Sequence, residues 1–176
     1  MKRFFYFLIA FSLASPSLQA QFCHPQDSLQ LVQFYNSVNG QNSTLTWDLS
    51  QPVSTWEWVK LTPQGRVKSL WLIGKNLSGT LPADLDLPDL TLLGLGNNKI
   101  GGTLPKFDLL PNLRELELPN NQLTGSIPNY DSPFLQDLEL NDNQLTGSIP
   151  KFKLPNLIAL YLSNNQLTGE IPEFDT

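Results

Sequence analysis

The most constraining feature of this chain is a proline that recurs at an almost constant interval through its second half. The five copies are separated by steps of 23, 23, 22 and 22 residues, and leucines, an asparagine and a glycine precede most of them at matching positions. The prolines are Pro82, Pro105, Pro128, Pro150 and Pro172. Because a fixed period of about 20 to 50 residues is typical of repeat architectures, the chain is predicted to form a solenoid of stacked coils.

Each recurring position of the repeat has its own physical role, as the fourth copy illustrates. Leu138 and Leu140 alternate with an outward residue, which is the period of a short strand with both leucines inside. Asn143 then turns the chain, since its side chain can bond backbone groups that stacked coils hide from water. Gly147 permits the next bend, and Pro150 ends a short extended segment. The isoleucine before each of the last three prolines is predicted to point into the core: Ile127, Ile149 and Ile171.

This pattern resembles the leucine-rich repeat family, in the extracellular plant-type variety marked by Leu-Thr-Gly-x-Ile-Pro. The similarity covers five copies from Val67 to Pro172, although the first copy has Val67 for its first leucine and Lys75 for its asparagine. The resemblance implies an α/β fold, a leucine-rich repeat solenoid with a parallel β-sheet on its concave face and a second set of short strands. Few regular helices are expected, and the row of asparagines is predicted to begin at Asn98.

The first 20 residues read as a secretory signal peptide. Basic Lys2 and Arg3 precede an apolar run, and small or polar residues lead to cleavage near Ala20. The apolar run is too short for a stop-transfer helix, and no later run is long enough to span a bilayer. Removing residues 1–20 would change the formal net charge from −5 to −7, which argues against nucleic acid or an anionic membrane as partner. We therefore expect a secreted or cell-surface protein.

Residues 21–66 are predicted to form a helix-plus-hairpin cap over the apolar end of the first coil. Asp27 and Gln30 have the spacing of a capping box, and Gly40 is expected to end the helix. The apolar face of this helix is predicted to contain Leu29, Val32, Phe34, Tyr35 and Val38. A turn at residues 63–65 then joins two strands, the second being the strand of the first repeat.

Three tryptophans of the cap segment lack helical spacing: Trp47, Trp56 and Trp58. Core packing is the preferred interpretation, and a platform for sugar rings is the alternative. The stretches "DSLQLVQFYNSVNG" and "PVSTWEWV" resemble the caps of secreted bacterial leucine-rich proteins, and the paired cysteines of plant relatives are absent. This resemblance predicts a bacterial source.

No pattern in the sequence indicates catalysis, a cofactor or a metal site. Cys23 is the only cysteine and His24 is the only histidine. Both lie beside the predicted cleavage region, so neither an internal disulfide nor a rigid Ser-His-Asp arrangement is expected. Glycine loops for phosphate and loops for calcium are also missing. The chain is therefore predicted to be non-enzymatic.

Outward positions of the predicted sheet bring carboxylates together in the third and fourth copies. Neighbouring strands lie about 4.8 Å apart, so these side chains are expected to form one group on the concave face. The members, here called the acidic cluster, are Glu115, Glu117, Asp137 and Glu139. Trp71 and Tyr161 occupy equivalent outward positions in the first and last copies.

Three interpretations of the acidic cluster remain open. The charges could simply keep the face soluble, they could bind a basic protein or a hydroxyl-rich glycan, or two of them could act as a glycosidase pair. Binding is the preferred hypothesis, with Trp71 and Tyr161 as further members of the site. Arg114 is expected to offset part of the negative charge.

A row of threonines follows the asparagines at Thr124, Thr146 and Thr168. Regular threonines would suit an ice-binding array, but Ser78 and Gly101 interrupt the row in the first two copies. Turn geometry is therefore the preferred explanation.

The predicted domains are a signal peptide at 1–20, a capping segment at 21–66 and five repeats at 67–176. The chain stops at "IPEFDT" without a polar cap, which predicts a truncated product, a fragment, or two chains packed end to end. The preferred function is a recognition module that binds a protein or a glycan through its concave face. The alternative is a piece of a larger receptor ectodomain or of an enzyme whose active portion lies beyond residue 176.

Overall fold

The computed structural model describes residues 22–173, in which the chain winds into stacked coils that carry two sheets. The first sheet has six strands, of which the first two form an antiparallel hairpin and the rest are parallel. In spatial order the strands are β1 (Val59–Leu61), β2 (Val67–Trp71), β4 (Leu92–Gly94), β6 (Glu115–Glu117), β8 (Asp137–Glu139) and β10 (Ala159–Tyr161). The predicted sheet of stacked coils is confirmed.

The second sheet takes one short parallel strand from each coil. Its strands are β3 (Ser78–Thr80), β5 (Lys99–Thr103), β7 (Gln122–Ser126), β9 (Gln144–Gly147) and β11 (Gln166–Leu167). Within residues 22–173 the only α-helix is α1 (Pro25–Ser37), and two short 3-10 helices cover Gly40–Asn42 and Val53–Thr55. The expectation of a solenoid with few helices is thus confirmed.

The repeat leucines form the core of the solenoid. Those of the four inner strands are at most 1% exposed: Leu70, Leu72, Leu93, Leu95, Leu116, Leu118, Leu138 and Leu140. The fifth coil differs, because Leu160 and Leu162 are only partly buried and Ile171 is 78% exposed. The prediction that Ile171 points into the core is wrong, since no coil of the described residues packs against that side.

A ladder of asparagines joins the backbones of successive coils. Asn98 Nδ2 donates to the carbonyls of Leu72 and Leu95, both at 2.8 Å, and Asn98 Oδ1 accepts from the N–H of Leu77 at 3.0 Å. The same bonding to two coils is repeated by Asn121, Asn143 and Asn165. The ladder begins at Asn98 as predicted, and Lys75 contributes only its backbone N–H to it.

A row of stacked aromatic rings lies two residues after three of the repeat prolines. The ring centroids of Phe107 and Tyr130 are 6.4 Å apart, and those of Tyr130 and Phe152 are 6.2 Å apart. The Tyr130 hydroxyl donates to the Pro105 carbonyl at 3.1 Å, and burial raises the pKa of this phenol. These rings continue the core between coils at positions where the sequence analysis predicted nothing.

The predicted capping box does not form. Helix α1 has His24 as its N-cap, with the Gln26 N–H donating to His24 Nδ1 at 3.3 Å. Asp27 lies inside the first turn, and Gln30 Oε1 accepts from the backbone N–H of Asp86 at 3.0 Å. The prediction is wrong because both side chains bond to distant parts of the chain instead of to their own helix end.

Asp27 fastens helix α1 to the first repeat. Its carboxylate is fully buried, and Oδ2 accepts from the Val67 N–H at 2.7 Å and from Arg66 Nε at 3.2 Å. Arg66 Nη2 also lies 2.7 Å from Oδ1, an ion pair by distance although it lacks the angle of a hydrogen bond. A buried carboxylate is stable only when it is paired and hydrogen-bonded, so this contact fixes α1 against β2.

The rest of the helix prediction holds except at one residue. Phe34, Tyr35 and Val38 are buried as expected and Val32 is partly buried, but Leu29 is 60% exposed and Leu31 takes its place in the core.

The tryptophans divide into two core residues and one surface residue. Trp47 and Trp56 are each 5% exposed and stack with ring centroids 4.8 Å apart, which confirms core packing for both. Trp58 is 48% exposed, so the same prediction is wrong there. Its φ of 70° is a left-handed conformation that is uncommon for a bulky residue, and Lys75 Nζ lies 4.1 Å from its ring centroid.

Replacing Asn143 with Ala tests the ladder. The substitution removes the acceptor of the Leu123 N–H and the donor to the Leu118 and Leu140 carbonyls. Since each buried polar group left unpaired costs about 1–3 kcal/mol, we expect the free energy of unfolding in urea to fall by at least 2–3 kcal/mol. The control is Asn129→Ala at an exposed position. Equal stability of the two variants would contradict a structural role for the ladder.

Replacing Asp27 with Ala tests the attachment of helix α1 to the first repeat. Removing one partner of a buried ion pair typically costs about 3–5 kcal/mol, because the other charge and its donors lose their counterpart. We expect a loss of that size in urea denaturation, against almost none for Asp84→Ala at an exposed position. A loss below about 1 kcal/mol, the range of exposed pairs, would show that the attachment of α1 does not depend on this contact.

Candidate ligand-binding face

The acidic cluster is assembled by the register of two neighbouring strands. In the pairing of β6 with β8, Glu115 lies opposite Asp137 and Glu117 lies opposite Glu139. The leucine between each pair of acids is buried, whereas the acids themselves are partly exposed. The structure therefore brings together the four carboxylates that the sequence analysis selected, on the outer face of the six-stranded sheet.

The two predicted aromatic members flank the cluster on the same face. Tyr161 lies opposite Glu139 and is 52% exposed. Trp71 is 39% exposed and is separated from Glu117 by Gly94, which pairs with both. The Trp71 ring covers Gly94, because a Cβ added to that glycine would lie 3.1 Å from Trp71 Cε3. The glycine thus lets the indole lie against the sheet while its other side stays accessible.

The cluster holds its negative charge at a cost. Burial, followed by the charges of Glu139, Glu115 and Asp137, raises the pKa of Glu117 above its ordinary value of 4.5. Within residues 22–173, none of the four carboxylates forms an ion pair shorter than 4.0 Å. Like charges opposite each other destabilise a sheet by a few tenths of a kcal/mol to about 1 kcal/mol per pair. A cation placed here would remove that penalty.

Arg114 forms no ion pair with the acidic cluster, so its expected partial offset of the charge stays a prediction. Its guanidinium carbon lies 6.0 Å from the ring centroid of Phe134, and it has no ion pair within 4.0 Å among the described residues. At the edge of the cluster, Asp142 accepts from Asn141 Nδ2 and from Asn164 Nδ2, both at 2.6 Å. These bonds lower the pKa of Asp142 and tie it to the turn between the two sheets.

The geometry favours binding of a cation over acid–base chemistry. A glycosidase needs one carboxyl group in surroundings that raise its pKa and a second that stays ionised in a separate environment. Here the raised pKa of Glu117 has burial and three like charges as its causes, and all four groups share one half-exposed face. His24, the only histidine of the sequence, is the N-cap residue of helix α1 and not a member of the acidic cluster. In the described part of the chain, no group of three or more potential ligands is arranged to hold a metal ion.

Trp58 is the surface residue that the sequence analysis misplaced. It lies next to Trp71, whose backbone N–H donates to the Trp58 carbonyl at 3.1 Å. Trp58 thus lies beside two residues of the first repeat, Trp71 and Lys75. The spacing gave no signal, since Trp56 and Trp58 would face the same side of an extended segment, and the φ of 70° at Trp58 breaks that alternation.

Two members of the threonine row, Thr124 and Thr146, lie in strands β7 and β9 of the second sheet. Thr124 Oγ1 donates to the Gly102 carbonyl at 3.3 Å, and Thr168 Oγ1 lies 3.5 Å from the Gly147 carbonyl. Both acceptors belong to the preceding coil, so these hydroxyls link neighbouring coils. The turn interpretation is wrong for Thr124 and Thr146, which lie in strands.

The structure defines a class of protein, a parallel β-solenoid with an inner core of leucines and an asparagine ladder. Residues 112–132, 134–152 and 156–174 match the family described as Leucine Rich Repeat. One chain of the BIR3–SERK2 complex from Arabidopsis thaliana is 32% identical, with 83% of this chain and 85% of that chain covered and a TM-score of 0.72. The chain therefore belongs to the leucine-rich repeat family.

Other solved structures are similar over most of this chain. The ectodomain of the receptor kinase SOBIR1 from Arabidopsis thaliana is 26% identical, with 86% and 85% of the two chains covered and a TM-score of 0.72. The Arabidopsis HAESA ectodomain, in complex with an extended IDA peptide hormone, is 26% identical, with 81% of this chain and 29% of that chain covered and a TM-score of 0.58.

The matches bear on location as well as fold. Receptor ectodomains lie outside the cell, which fits the predicted secreted or cell-surface location. The predicted signal peptide falls outside the described residues and stays a prediction, as does the bacterial source. No helix among residues 22–173 combines the length and the apolar character needed to cross a bilayer.

Replacing Glu117 with Gln tests the electrostatics of the cluster. Because the folded state raises this pKa, the stability that protonation provides is complete below about pH 4.5 and is lost as pH rises through the raised value. We expect Glu117→Gln to be more stable than wild type at pH 7, by about 0.2–1 kcal/mol for each like-charged contact removed, and equally stable at pH 3. Urea denaturation at both pH values measures this, with Glu57→Gln as exposed control. An unchanged difference between the two pH values would disprove it.

Proposed function

We propose that this protein is a secreted or cell-surface recognition module, without enzymatic activity, that binds a protein partner through the concave face of its six-stranded sheet. Two findings support the class of partner. The BIR3–SERK2 structure is a complex of two proteins, and HAESA is seen with a peptide hormone. Binding modules of this architecture present variable side chains on a rigid repeated backbone, and that is the arrangement of the outer face here.

The observation that carries the proposal is the acidic cluster. Four carboxylates share neighbouring strands, and none has a cationic partner within 4.0 Å among the described residues. Since their mutual repulsion destabilises the free protein, a basic partner would gain both its own attraction and the relief of that repulsion. The partner is therefore a protein or peptide with lysine or arginine side chains at its contact surface.

Trp71 and Tyr161 complete the proposed site at its two ends. Exposed aromatic side chains are enriched at protein interfaces because they bury a large area with few rotatable bonds. A glycan is the second candidate ligand, favoured by the flat support of the Trp71 ring on Gly94, which leaves an indole face free to stack on the C–H face of a sugar.

The finer assignments of the sequence analysis belong to this proposal too. The plant-type variety of the repeat is supported by the second parallel sheet, which runs through the Leu-Thr-Gly segments. The boundaries 1–20, 21–66 and 67–176 are proposed as signal peptide, cap and repeats. The contact of Asp27 with Val67 supports a cap that belongs structurally to the first coil.

A pull-down from cell-surface extracts with the mature chain identifies the partner, and titration of that partner then tests the site. We expect the affinity to fall as salt rises from low to physiological strength, and to fall at least roughly tenfold when all four cluster acids are replaced with amides (Glu→Gln and Asp→Asn). The affinity should also fall as the medium becomes more acidic, because the raised pKa of Glu117 lets this carboxylate lose its charge at a higher pH than an ordinary glutamate.

The control variant changes the same number of exposed acids away from the cluster, at Glu57, Asp84, Asp108 and Glu170. It has the same net charge as the cluster variant. A loss of binding in both variants would therefore indicate general electrostatic attraction. Full affinity of the cluster variant would disprove the proposed site.

A further inference from the structure

A second charged feature, separate from the acidic cluster, lies at the edge of the six-stranded sheet. It is a groove of about 350 Å³ at the start of strands β2, β4 and β6, beside the turn that joins β1 to β2. The residues of its lining that carry the inference are Gln64, Lys68, Asp89, Thr91, Asn112 and Arg114. None of these residues is among those predicted from the sequence to bind a ligand.

The groove carries two cations that the described structure leaves without a counterion. Lys68 and Arg114 are exposed, and neither forms an ion pair within 4.0 Å with a residue of the described range. Asp89 is the only acid in the lining. Because β4 lies between β2 and β6, the two backbones are about 10 Å apart, so both long side chains can reach one anion placed over Thr91.

The floor of the groove is rigid because hydrogen bonds join the coils beneath it. Thr91 N–H donates to the Lys68 carbonyl at 2.8 Å, and Arg114 N–H donates to the Thr91 carbonyl at 2.9 Å. The Thr91 hydroxyl also donates to the Lys68 carbonyl at 3.1 Å, and Asn112 Nδ2 donates to the Pro88 carbonyl at 2.8 Å. These bonds fix the Cα positions of both cations, which lowers the entropy lost when a ligand orders their side chains.

We propose that this groove binds a carboxylate of the protein partner, so that the partner presents an acidic residue beside its basic ones. The inference rests on the proposed function, because it assumes the same partner. A guanidinium group pairs with a carboxylate through two parallel hydrogen bonds, and lysine adds a point charge, so an aspartate or glutamate side chain suits both cations.

The spacing of the two charged features determines the spacing in the partner. Arg114 and Glu115 are consecutive residues, so the groove and the acidic cluster adjoin. The centre of the groove at β4 and the cluster on β6 and β8 are one to two strand spacings apart, about 5–10 Å. An extended peptide covers that distance in roughly two or three residues, so its acidic residue should lie two or three positions from a lysine or arginine.

Selection from a library of random displayed peptides tests this even while the natural partner is unidentified. The baits are the mature wild-type chain, the double variant Lys68→Gln/Arg114→Gln, the control variant Lys99→Gln/Lys106→Gln and the amide variant of the acidic cluster. Both lysines of the control are exposed, as are the two cations of the groove. The control and the groove variant each lose two positive charges, so their net charges are equal. Thermal unfolding shows that each bait is folded.

With wild type and control, we expect peptides with an acidic residue two or three positions from a basic one. The groove variant should lose the acidic preference alone, and bind the wild-type-selected peptides roughly tenfold more weakly in titration. The cluster variant should lose the basic preference alone.

Two outcomes would overturn the proposal, and a third would overturn the proposed function. An acidic preference that survives in the groove variant, or never appears, removes the carboxylate site while the cluster can still bind basic peptides. The same baits are also titrated with a uronate oligosaccharide. If the groove variant binds it more weakly than wild type does but keeps its affinity for acidic peptides, the groove is a glycan site and the proposal is overturned. A basic preference that survives in the cluster variant contradicts the proposed function instead.

Discussion

The bonding of asparagine side chains to two coils at once is the interaction on which the rest of this structure depends. Stacked coils remove water from the turn that follows each strand, and some peptide groups there, such as the Leu72 carbonyl and the Leu77 N–H, take an asparagine side chain as partner. Asn98 supplies donors to carbonyls of its own coil and of the preceding coil, and accepts from Leu77 across the same boundary. Each coil is thus completed by its neighbour, which makes stability a property of adjacent pairs of coils.

This arrangement frees the outer face from any role in holding the fold together. The stabilising contacts lie inside, where leucines such as Leu138 are fully buried. The sheet can then tolerate Glu117 opposite Glu139, although like charges across strands are unfavourable. The outward side chains of a repeat protein can therefore vary to suit a ligand without loss of the fold. The register of the strands then determines where each new side chain lies on the surface.

The sequence predicted what repeats and missed much of what does not. The spacing of Leu116 and Leu138 was sufficient to predict the parallel sheet, and with it the meeting of the four acids. Asp27 was misread as a local cap because its partners, Arg66 and Val67, lie about forty residues away and follow no period. Trp58 was misplaced because a single backbone angle, its φ of 70°, turns it outward, and that angle also follows no period. The Phe107, Tyr130 and Phe152 stack does repeat, and its period could have been found.

The net charge of the protein and the individual charges of the outer face act on a partner at different distances. A net negative protein attracts cationic partners in general, and this attraction reaches about 8 Å in physiological salt. It cannot distinguish one basic protein from another. In the proposed arrangement Lys68 and Arg114 supply that distinction, because a partner with only basic residues would bring like charges into the groove. Specificity commonly requires such a repulsive element beside the attractive one. The adjacency of Arg114 and Glu115 shows how few residues this needs, since one coil carries both signs.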